Sequence, residues 1–558
     1  MFKSYRKIDI IFLLILSLTV LILRIPFVNK FLYEWDSASY ALALDNYSII
    51  HEQPQSPGYI LYIALGKMVN FILHDANTTF IFLGIVFSIL TVFLVYFLAK
   101  NIFNRKIAIA SAVLLTFNPL FWFYGEIGSI YIFQAFFSAL IAFLCYKSLK
   151  EGGYYIYLSA LILGISGGFR LDMVILLLPL WIFSLIYNKT NLKRLLKALS
   201  VLVIGVLLWM VPTIISTGSL GNYLKLLSTV SSAGYTSVLM GASLNSQIIN
   251  SGLSIVWYLL AINLSGIILL VIYLIFHHNN WKNKFIPYLK DPRSIFFILW
   301  ILPAFLFFTI IYIIKPGYAL ISLPALIIIL GYVVKRLAED LHIKIPKISV
   351  KSFFIIILII GVIMNGVIYL YPYDLHQGEL WETPQGNLTG SQKALFEINV
   401  GLMYNQKKIS ENDLNTMLHI EVINNLSNSD PNSSIIVIRD ITREDEGFNW
   451  RKAMYYLPGY SVYYLFDSEN SHLTNNVSVW LGKNHTDQKV ESSTVEINLD
   501  PSVTKIIWIM SNQTNFYQQV QSQENLHTIM LPNGLNIYYT DIGNGPVNFT
   551  VSGFTFKR

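Results

Sequence analysis

Glu34, Asp36, His51 and Glu52 fall in one stretch, YEWDSASYALALDNYSIIHEQPQSPGYILY (33–62), between two long apolar runs. Arg24 stands near the end of the run before it. Further along come Glu126 in FWFYGEIGS, Arg170 and Asp172 in GGFRLDM, and Lys315 ahead of Pro316 and Gly317. A carboxylate can take a proton from a hydroxyl that it can reach by a hydrogen bond. A guanidinium presents a fork matched to phosphate or carboxylate oxygens, and an ammonium offers a point charge. Acids and cations together therefore point to proton chemistry beside a bound anionic group.

Each residue also has a plainer reading. Asp36 suits a helix N-cap, and Glu126 a solvated turn. Arg170 and Asp172 could be a local ion pair at a helix junction. Lys315 and Arg24 could be anchors that snorkel to headgroups, and His51 and Glu52 ordinary loop residues.

The surroundings decide how such charges are weighed. The chain has 558 residues, is 54% hydrophobic and 13% charged, and has a mean hydropathy of +0.54. Soluble domains carry roughly 25% charged residues, so this composition is that of a membrane protein. Apolar runs of roughly twenty residues, the length of a membrane-spanning helix, continue to Tyr371. The candidates are 8–27, 80–99, 107–124, 127–146, 154–169, 173–187, 198–215, 255–276, 295–313, 318–334 and 353–371, about eleven spans. The first is too long for a signal-peptide core, and no small-residue cleavage site follows it. The single cysteine, Cys145, excludes an intrachain disulfide and a cysteine-based metal cage.

Loop charge orients the spans. The basic loops KNIFNRK, YKSLKEGG, NKTNLKRLLK, HHNNWKNKFIPYLKDPR and VKRLAEDLHIKIPKISVK share one side only if 58–73 does not cross. The positive-inside rule then puts them in the cytoplasm, with the N-terminus. The segment 58–73, which contains Lys67, is expected to lie in the interface. The net charge of +7 is accounted for by these loops and does not call for nucleic acid. On this topology Arg24, Glu34, Asp36, His51, Glu52, Glu126, Arg170, Asp172 and Lys315 gather at the outer face. Ionisable groups at membrane depth are costly and usually face a cavity.

The expected fold is a polytopic α-helical membrane protein with a soluble α/β domain outside. Residues 1–371 form the membrane domain, with a first outside loop at 28–79, and residues 372–558 the extracytoplasmic domain. In the latter, GSQKALFEINVGLMYNQ and SENDLNTMLHIEVINNL read as amphipathic helices. SSIIVIRD, YSVYYLFD and TKIIWIMS read as strands. NWRKAMYYLPG reads as a crossover helix, which implies a partly parallel sheet. The last stretch is β-rich, and no catalytic constellation stands out after Tyr371.

The order of motifs resembles the C-type superfamily of integral membrane glycosyltransferases, in its protein O-mannosyltransferase-like and aminoarabinose-transferase-like branches. WDSASY resembles the loop carrying the family's aspartate, with Tyr40 as the following aromatic. HEQPQSPGYILY is similar to the family's His-Pro-Pro-Gly-Tyr turn, here with Pro54 and Pro57 apart. NPLFWFYGEIGSIY resembles the span end that presents a second acid. GISGGFRLDMVILLLP and KPGYALISLPALIIILGY also have family counterparts. The likeness runs from Ile8 to Tyr332. Where many relatives have Asp-Glu, Ser37 follows Asp36, and no Trp-Trp-Asp signature of oligosaccharyltransferases occurs after Tyr371.

The resemblance implies a polyprenyl-phosphate sugar donor and a protein, lipid or glycan acceptor. Asp36 would be the general base, and Glu126 would bind acceptor or sugar hydroxyls or help tune Asp36. Arg170, Lys315 and Arg24 would bind the donor phosphate. Tyr40, His51, Tyr59, Asp172 and Tyr318 would line the substrates. A divalent metal is left open: Asp36, His51, Glu52 and Glu126 could ligate one, but no ligand spacing on one helix selects it. The alternative is a transporter or flippase of a lipid-linked or anionic solute, for which a pair of broken helices in corresponding halves is the usual sign. No such pair is evident.

Overall fold

The computed structural model describes residues 7–277, 290–313, 315–371, 404–426, 430–439, 447–467, 477–483, 485–512 and 514–558. It divides into two compact units. The first comprises Met1–Val28, Tyr59–Tyr373 and Ile398–Lys407, and the second Asn29–Gly58, Asp374–Glu397 and Lys408–Arg558. The first loop, assigned whole to the membrane domain on sequence, is therefore split. Asn29–Gly58 join the C-terminal unit, and the chain from Tyr59 joins the helical one.

In the first unit every expected span coincides with helix. Seven helices among the described residues are long and apolar enough to cross a bilayer unaided: Lys7–Phe27, Ala76–Ile102, Tyr131–Glu151, Leu192–Ser216, Leu244–His277, Pro292–Ile311 and Val350–Leu370. The other four expected spans fall short for visible reasons. One is broken at Phe117 and Asn118, where Pro119 opens a new turn, giving Arg105–Thr116 and Pro119–Tyr124. Tyr155–Ser166 and Asp172–Tyr187 have only 12 and 16 residues. Leu323–Lys344 ends in a charged turn. The span expected at 255–276 begins earlier, at Leu244, and is interrupted at Asn263, whose φ is 66°. Asn263 there donates to the Asn365 side chain at 2.8 Å. A further helix, Leu220–Ala233, had no sequence expectation.

Ile60–Leu73 is a helix of 14 residues. At 1.5 Å per residue it extends about 21 Å, short of a hydrocarbon core of about 30 Å. Phe71, Ile72 and Met68 on it are exposed.

Close helix contact in the first unit uses glycine. A Cβ on Gly205 would stand 2.8 Å from the Leu161 carbonyl, and one on Gly164 2.9 Å from the Gly205 Cα. With hydrocarbon on both sides of the balance, such backbone approach substitutes packing for the hydrophobic effect. Asp9, buried in the first helix, is held by the Tyr96 hydroxyl at 2.7 Å and paired with Lys100 at 2.9 Å and Arg105 at 2.8 Å.

The second unit is built on a mixed seven-stranded sheet of order β4-β3-β2-β1-β6-β8-β7. Its strands are β1 (Ser434–Arg439), β2 (Ser461–Phe466), β3 (Val477–Lys483), β4 (Thr486–Ser492), β6 (Lys505–Met510), β7 (His527–Met530) and β8 (Asn536–Asp541). β1 pairs in parallel with both β2 and β6, and the outer pairs are antiparallel. The β1–β2 crossover contains the helix Trp450–Tyr456, as its pattern implies. A three-stranded sheet joins β5 (Val495–Asn498), β10 (Phe554–Lys557) and β9 (Asn548–Val551). Side chains alternate along β1, so Ile435 and Val437 enter one core and Ile436 and Ile438 the other. The first core includes the small sheet and the helix Asn515–Gln523. The second includes the helices Gln406–Asn425 and Trp450–Tyr456, and also Leu42 from the early segment. The helix expected in GSQKALFEINVGLMYNQ lies outside the described residues, apart from its end.

Candidate functional site

Asp36 opens the helix Trp35–Asp45, whose N-terminus is closed by Glu34 and Ser37 in a capping box. Asp36 thus occupies the first turn, where backbone N–H groups favour a negative side chain. The Gln55 amide donates to its Oδ1, fixing the carboxylate against the far end of the same segment. Tyr40, one turn on, is buried in this helix. His51 is exposed, and its Nδ1 lies 2.8 Å from the Ser48 hydroxyl. Glu52 adopts a left-handed backbone with φ 54° and lies 3.8 Å from Arg451.

The C-terminal part of the second unit grips this segment. Asp413 accepts from the Lys30 and Phe31 N–H groups at 2.8 and 3.0 Å. Burial, the largest influence on Asp413, raises its carboxyl above the ordinary value, while the two N–H groups and Lys452 pull it down. The Leu32 N–H donates to the Tyr456 hydroxyl at 2.8 Å. Trp35 meets Trp450 and Tyr464 edge-on, with centroids 5.7 and 5.6 Å away.

In the first unit, Arg170 follows the Gly167–Gly168 turn after a helix end and precedes Asp172–Tyr187. Arg170 is 9% exposed. Nε and Nη2 donate to the two Asp172 oxygens at 3.2 and 3.0 Å. The rings of Tyr318 and Tyr131 flank it, with centroids 4.5 and 5.4 Å from Cζ. The Gln134 amide, turned with its oxygen toward Arg170, accepts from Nε at 3.1 Å and donates to the Gly317 carbonyl at 3.2 Å. Tyr318 belongs to the short turn Pro316–Ile321, which Lys315 enters in extended conformation. Gly317 is required for this approach, since a Cβ there would lie 2.6 Å from both Cδ atoms of Tyr131. Tyr59, with φ 42°, precedes the helix Ile60–Leu73 and interacts electrostatically with Arg170. Arg170, Asp172, Tyr59 and Tyr318 are therefore brought together, with Tyr131 and Gln134 added.

Glu126 and Arg24 form a separate group. Both are fully buried. Trp122 Nε1 donates to Glu126 Oε1 at 2.5 Å and the Tyr369 hydroxyl to Oε2. Tyr369 stacks on Trp122 with centroids 4.3 Å apart. Arg24 lies over the Phe121 ring at 5.5 Å and feels the Glu126 charge. Among the described residues none of its three guanidinium nitrogens has a hydrogen-bond partner. Among those residues no three of His, Cys, Asp and Glu converge as metal ligands would.

Sequence reasoning missed Tyr131, Gln134, Trp122, Tyr369 and Arg451. Tyr131 and Gln134 are three apart on one helix, so they share a face. A polar residue on an aromatic-rich face of a span was the available signal.

Comparison with known proteins bears on this arrangement. The sequence model of the dolichyl-phosphate-mannose-protein mannosyltransferase family matches residues 55–215, a range that contains Tyr59, Glu126, Arg170 and Asp172. No curated protein sequence matches the chain. ArnT from Cupriavidus metallidurans, solved bound to undecaprenyl phosphate, superposes with a TM-score of 0.51 at 11% identity, over 95% of this chain and 97% of that one. Its apo form gives 0.51 at 10% identity, over 96% and 98%. The oligosaccharyltransferase AglB from Archaeoglobus fulgidus, solved with an inhibitory peptide and a dolichol-phosphate, gives 0.43 at 12% identity, over 95% of this chain and 74% of that one. The chain shares the fold of ArnT, that of a helical multi-pass membrane protein with a further C-terminal domain, and residues 55–215 match the mannosyltransferase family model.

Proposed function

We propose that the protein is a glycosyltransferase that moves a sugar from a polyprenyl-phosphate donor to an acceptor hydroxyl at the outer membrane face. The observation that carries this reading is the Arg170 site. Asp172 and Gln134 hold one edge of the guanidinium, and two tyrosine rings flank it. Arginine has five N–H donors. The bonds to Asp172 and Gln134 use Nε and one Nη2 hydrogen, which among the described residues leaves both Nη1 hydrogens and the second Nη2 hydrogen for a phosphate. A pre-oriented guanidinium loses little freedom on binding an anion. Lys315 supplies a second positive charge, and Arg24 is the third candidate.

Asp36 is the base. As the acceptor oxygen attacks the anomeric carbon, Asp36 takes its proton. The bond from that carbon to the phosphate oxygen breaks on the opposite side, and the lipid phosphate leaves with the electron pair. The configuration inverts through an oxocarbenium-like transition state. A phosphate needs no protonation to leave, so one carboxylate suffices. The Gln55 amide stabilises the ionised, proton-accepting form of Asp36. Loop charge supports a cytoplasmic N-terminus and an α/β domain outside, where the acceptor would be met.

The test is Asp36→Asn in the full-length protein, assayed with dolichyl-phosphate mannose as donor probe. Transfer should be lost, with donor binding and the amount of folded protein unchanged. Turnover within a few-fold of the parent would remove Asp36 from the base role.

A further inference from the structure

Among the described residues of the C-terminal domain no cluster of His, Cys, Asp and Glu converges as metal ligands would, yet its contacts with residues 29–58 run along most of that segment. We propose that this domain is the scaffold that positions the catalytic carboxylate of Asp36, and that Arg451 is its principal positioning residue. The proposal rests on Asp36 acting as the base.

The attachment begins ahead of Asp36. Asp413 caps the Lys30 and Phe31 N–H groups, and the Tyr456 hydroxyl receives the Leu32 N–H. The Asn412 amide donates to the Tyr33 carbonyl at 3.3 Å, and Asn412 is itself held by Lys452 Nζ at 2.9 Å. Four consecutive residues before the helix are thus fixed through their backbone, which leaves little freedom in its entry angle. Within the helix, Leu42 enters the sheet's hydrophobic core, and at its end Asp45 pairs with His485 at 3.0 Å.

Arg451 secures the far side of the segment. Its side chain is fully buried, with the guanidinium stacked 4.1 Å from the Trp450 ring and 5.9 Å from that of Trp35. Nη2 donates to the His51 carbonyl at 2.9 Å. The Glu52 carboxylate, 3.8 Å away, faces it. Arg451 therefore touches the residue before Asp36 and the turn that leads to Gln55, the residue that orients the Asp36 carboxylate. A single buried cation joins both ends of the acid's surroundings. Lysine lacks the planar fork and cannot stack while also donating sideways.

The experiment uses the full-length protein in lipid nanodiscs, comparing Arg451→Met, Asp413→Asn and Asp36→Asn with the parent. Dolichyl-phosphate mannose is the donor probe, and hydrogen exchange is read by mass spectrometry. Displacing a reacting group by about 1 Å costs about 10²-fold in rate. Both positioning variants should therefore lose kcat by 10-fold to about 10²-fold with donor KM unchanged. Amides of 30–45 should exchange faster, while those of β1 and β2 keep their protection. A merely structural role would instead raise exchange across the sheet or move KM and kcat together. Asp413→Asn decides the matter if Arg451→Met fails to fold.

Unchanged exchange in 30–45, or kcat within about 2-fold of the parent while Asp36→Asn is inactive, overturns the proposal. An active Asp36→Asn protein removes the base, and with it the catalytic half of the proposal. The exchange result then decides alone whether the segment is held.

Discussion

Replacing Glu126 with alanine tests what a buried charge is for in this molecule. Arg24 is fully buried, and none of its nitrogens has a hydrogen-bond partner among the described residues. Glu126 interacts electrostatically with it, and because burial pushes the Glu126 carboxyl up to about 8, the counter-charge is fully present only above that pH, where the comparison is made. Alanine would leave that cation uncompensated, a change that costs roughly 3–5 kcal/mol in buried pairs. It would also leave the Tyr369 hydroxyl without its acceptor, at about 1–3 kcal/mol, while the Trp122 N–H keeps the Leu23 carbonyl at 3.0 Å. The contributions overlap, so a net loss of about 4 kcal/mol is expected, and a fall in Tm on the order of 10 °C. Glu126→Gln removes the charge and keeps one of the two acceptor oxygens, so its loss should be about half as large. The double variant Arg24→Met/Glu126→Gln removes both charges and should recover most of the loss, because uncharged replacements of buried pairs are often neutral. Cys145, the only cysteine and buried, makes the assay direct. Its alkylation by a fluorogenic maleimide during a thermal ramp in detergent reports opening of the membrane unit. A Glu126→Ala protein melting within 2 °C of the parent would refute the electrostatic argument. Donor affinity in the double variant separates the roles further: if unchanged, Arg24 holds no phosphate.

Arg170→Ala should weaken binding of a polyprenyl-phosphate donor by 10-fold to about 10²-fold, the equivalent of one or two charge-assisted hydrogen bonds. Arg170→Lys should fall between, since it keeps the charge and loses the fork. Unchanged affinity by quenching titration would make the Asp172 pair purely structural. Gly317→Ala would push a methyl against the Tyr131 ring and force a shift that costs about 1–3 kcal/mol. Donor affinity should fall about as far as in Arg170→Lys, and an unaltered Kd and Tm would refute the required close approach.

The legibility of this chain follows the range of the forces involved. Span positions follow from apolar length alone, and every expected span is helix. The strands SIIVIR, SVYYLF and KIIWIM were legible because buried strands are dense in β-branched and aromatic residues. Strand β4, TDQKVES, was not, because it lies at the sheet edge and carries polar side chains. Asp36, Glu126 and Arg170 stood out as charges in apolar surroundings. Their immediate partners did not, since Trp122, Tyr131 and Tyr369 look like ordinary span aromatics until folding brings their N–H or ring face to a charge. The allegiance of 29–58 was also hidden. Nothing local in YEWDSASY indicates that its Trp35 packs on Trp450, more than 400 residues away.

The same limit applies to the charges used for orientation. KNIFNRK counts toward a cytoplasmic loop, yet its Lys100 and Arg105 are paired with the buried Asp9. In the other basic loops Lys147 pairs with Glu151, and Lys335 and Arg336 with Glu339. If orientation followed net charge, these pairs would weaken the argument. It follows Lys and Arg, with acidic residues contributing little, because the bias acts while the loops are being placed. The pairs formed later stabilise the folded unit and leave the topological bias as the sequence states it, so the folded ion pairs and the unfolded loop charges answer different questions.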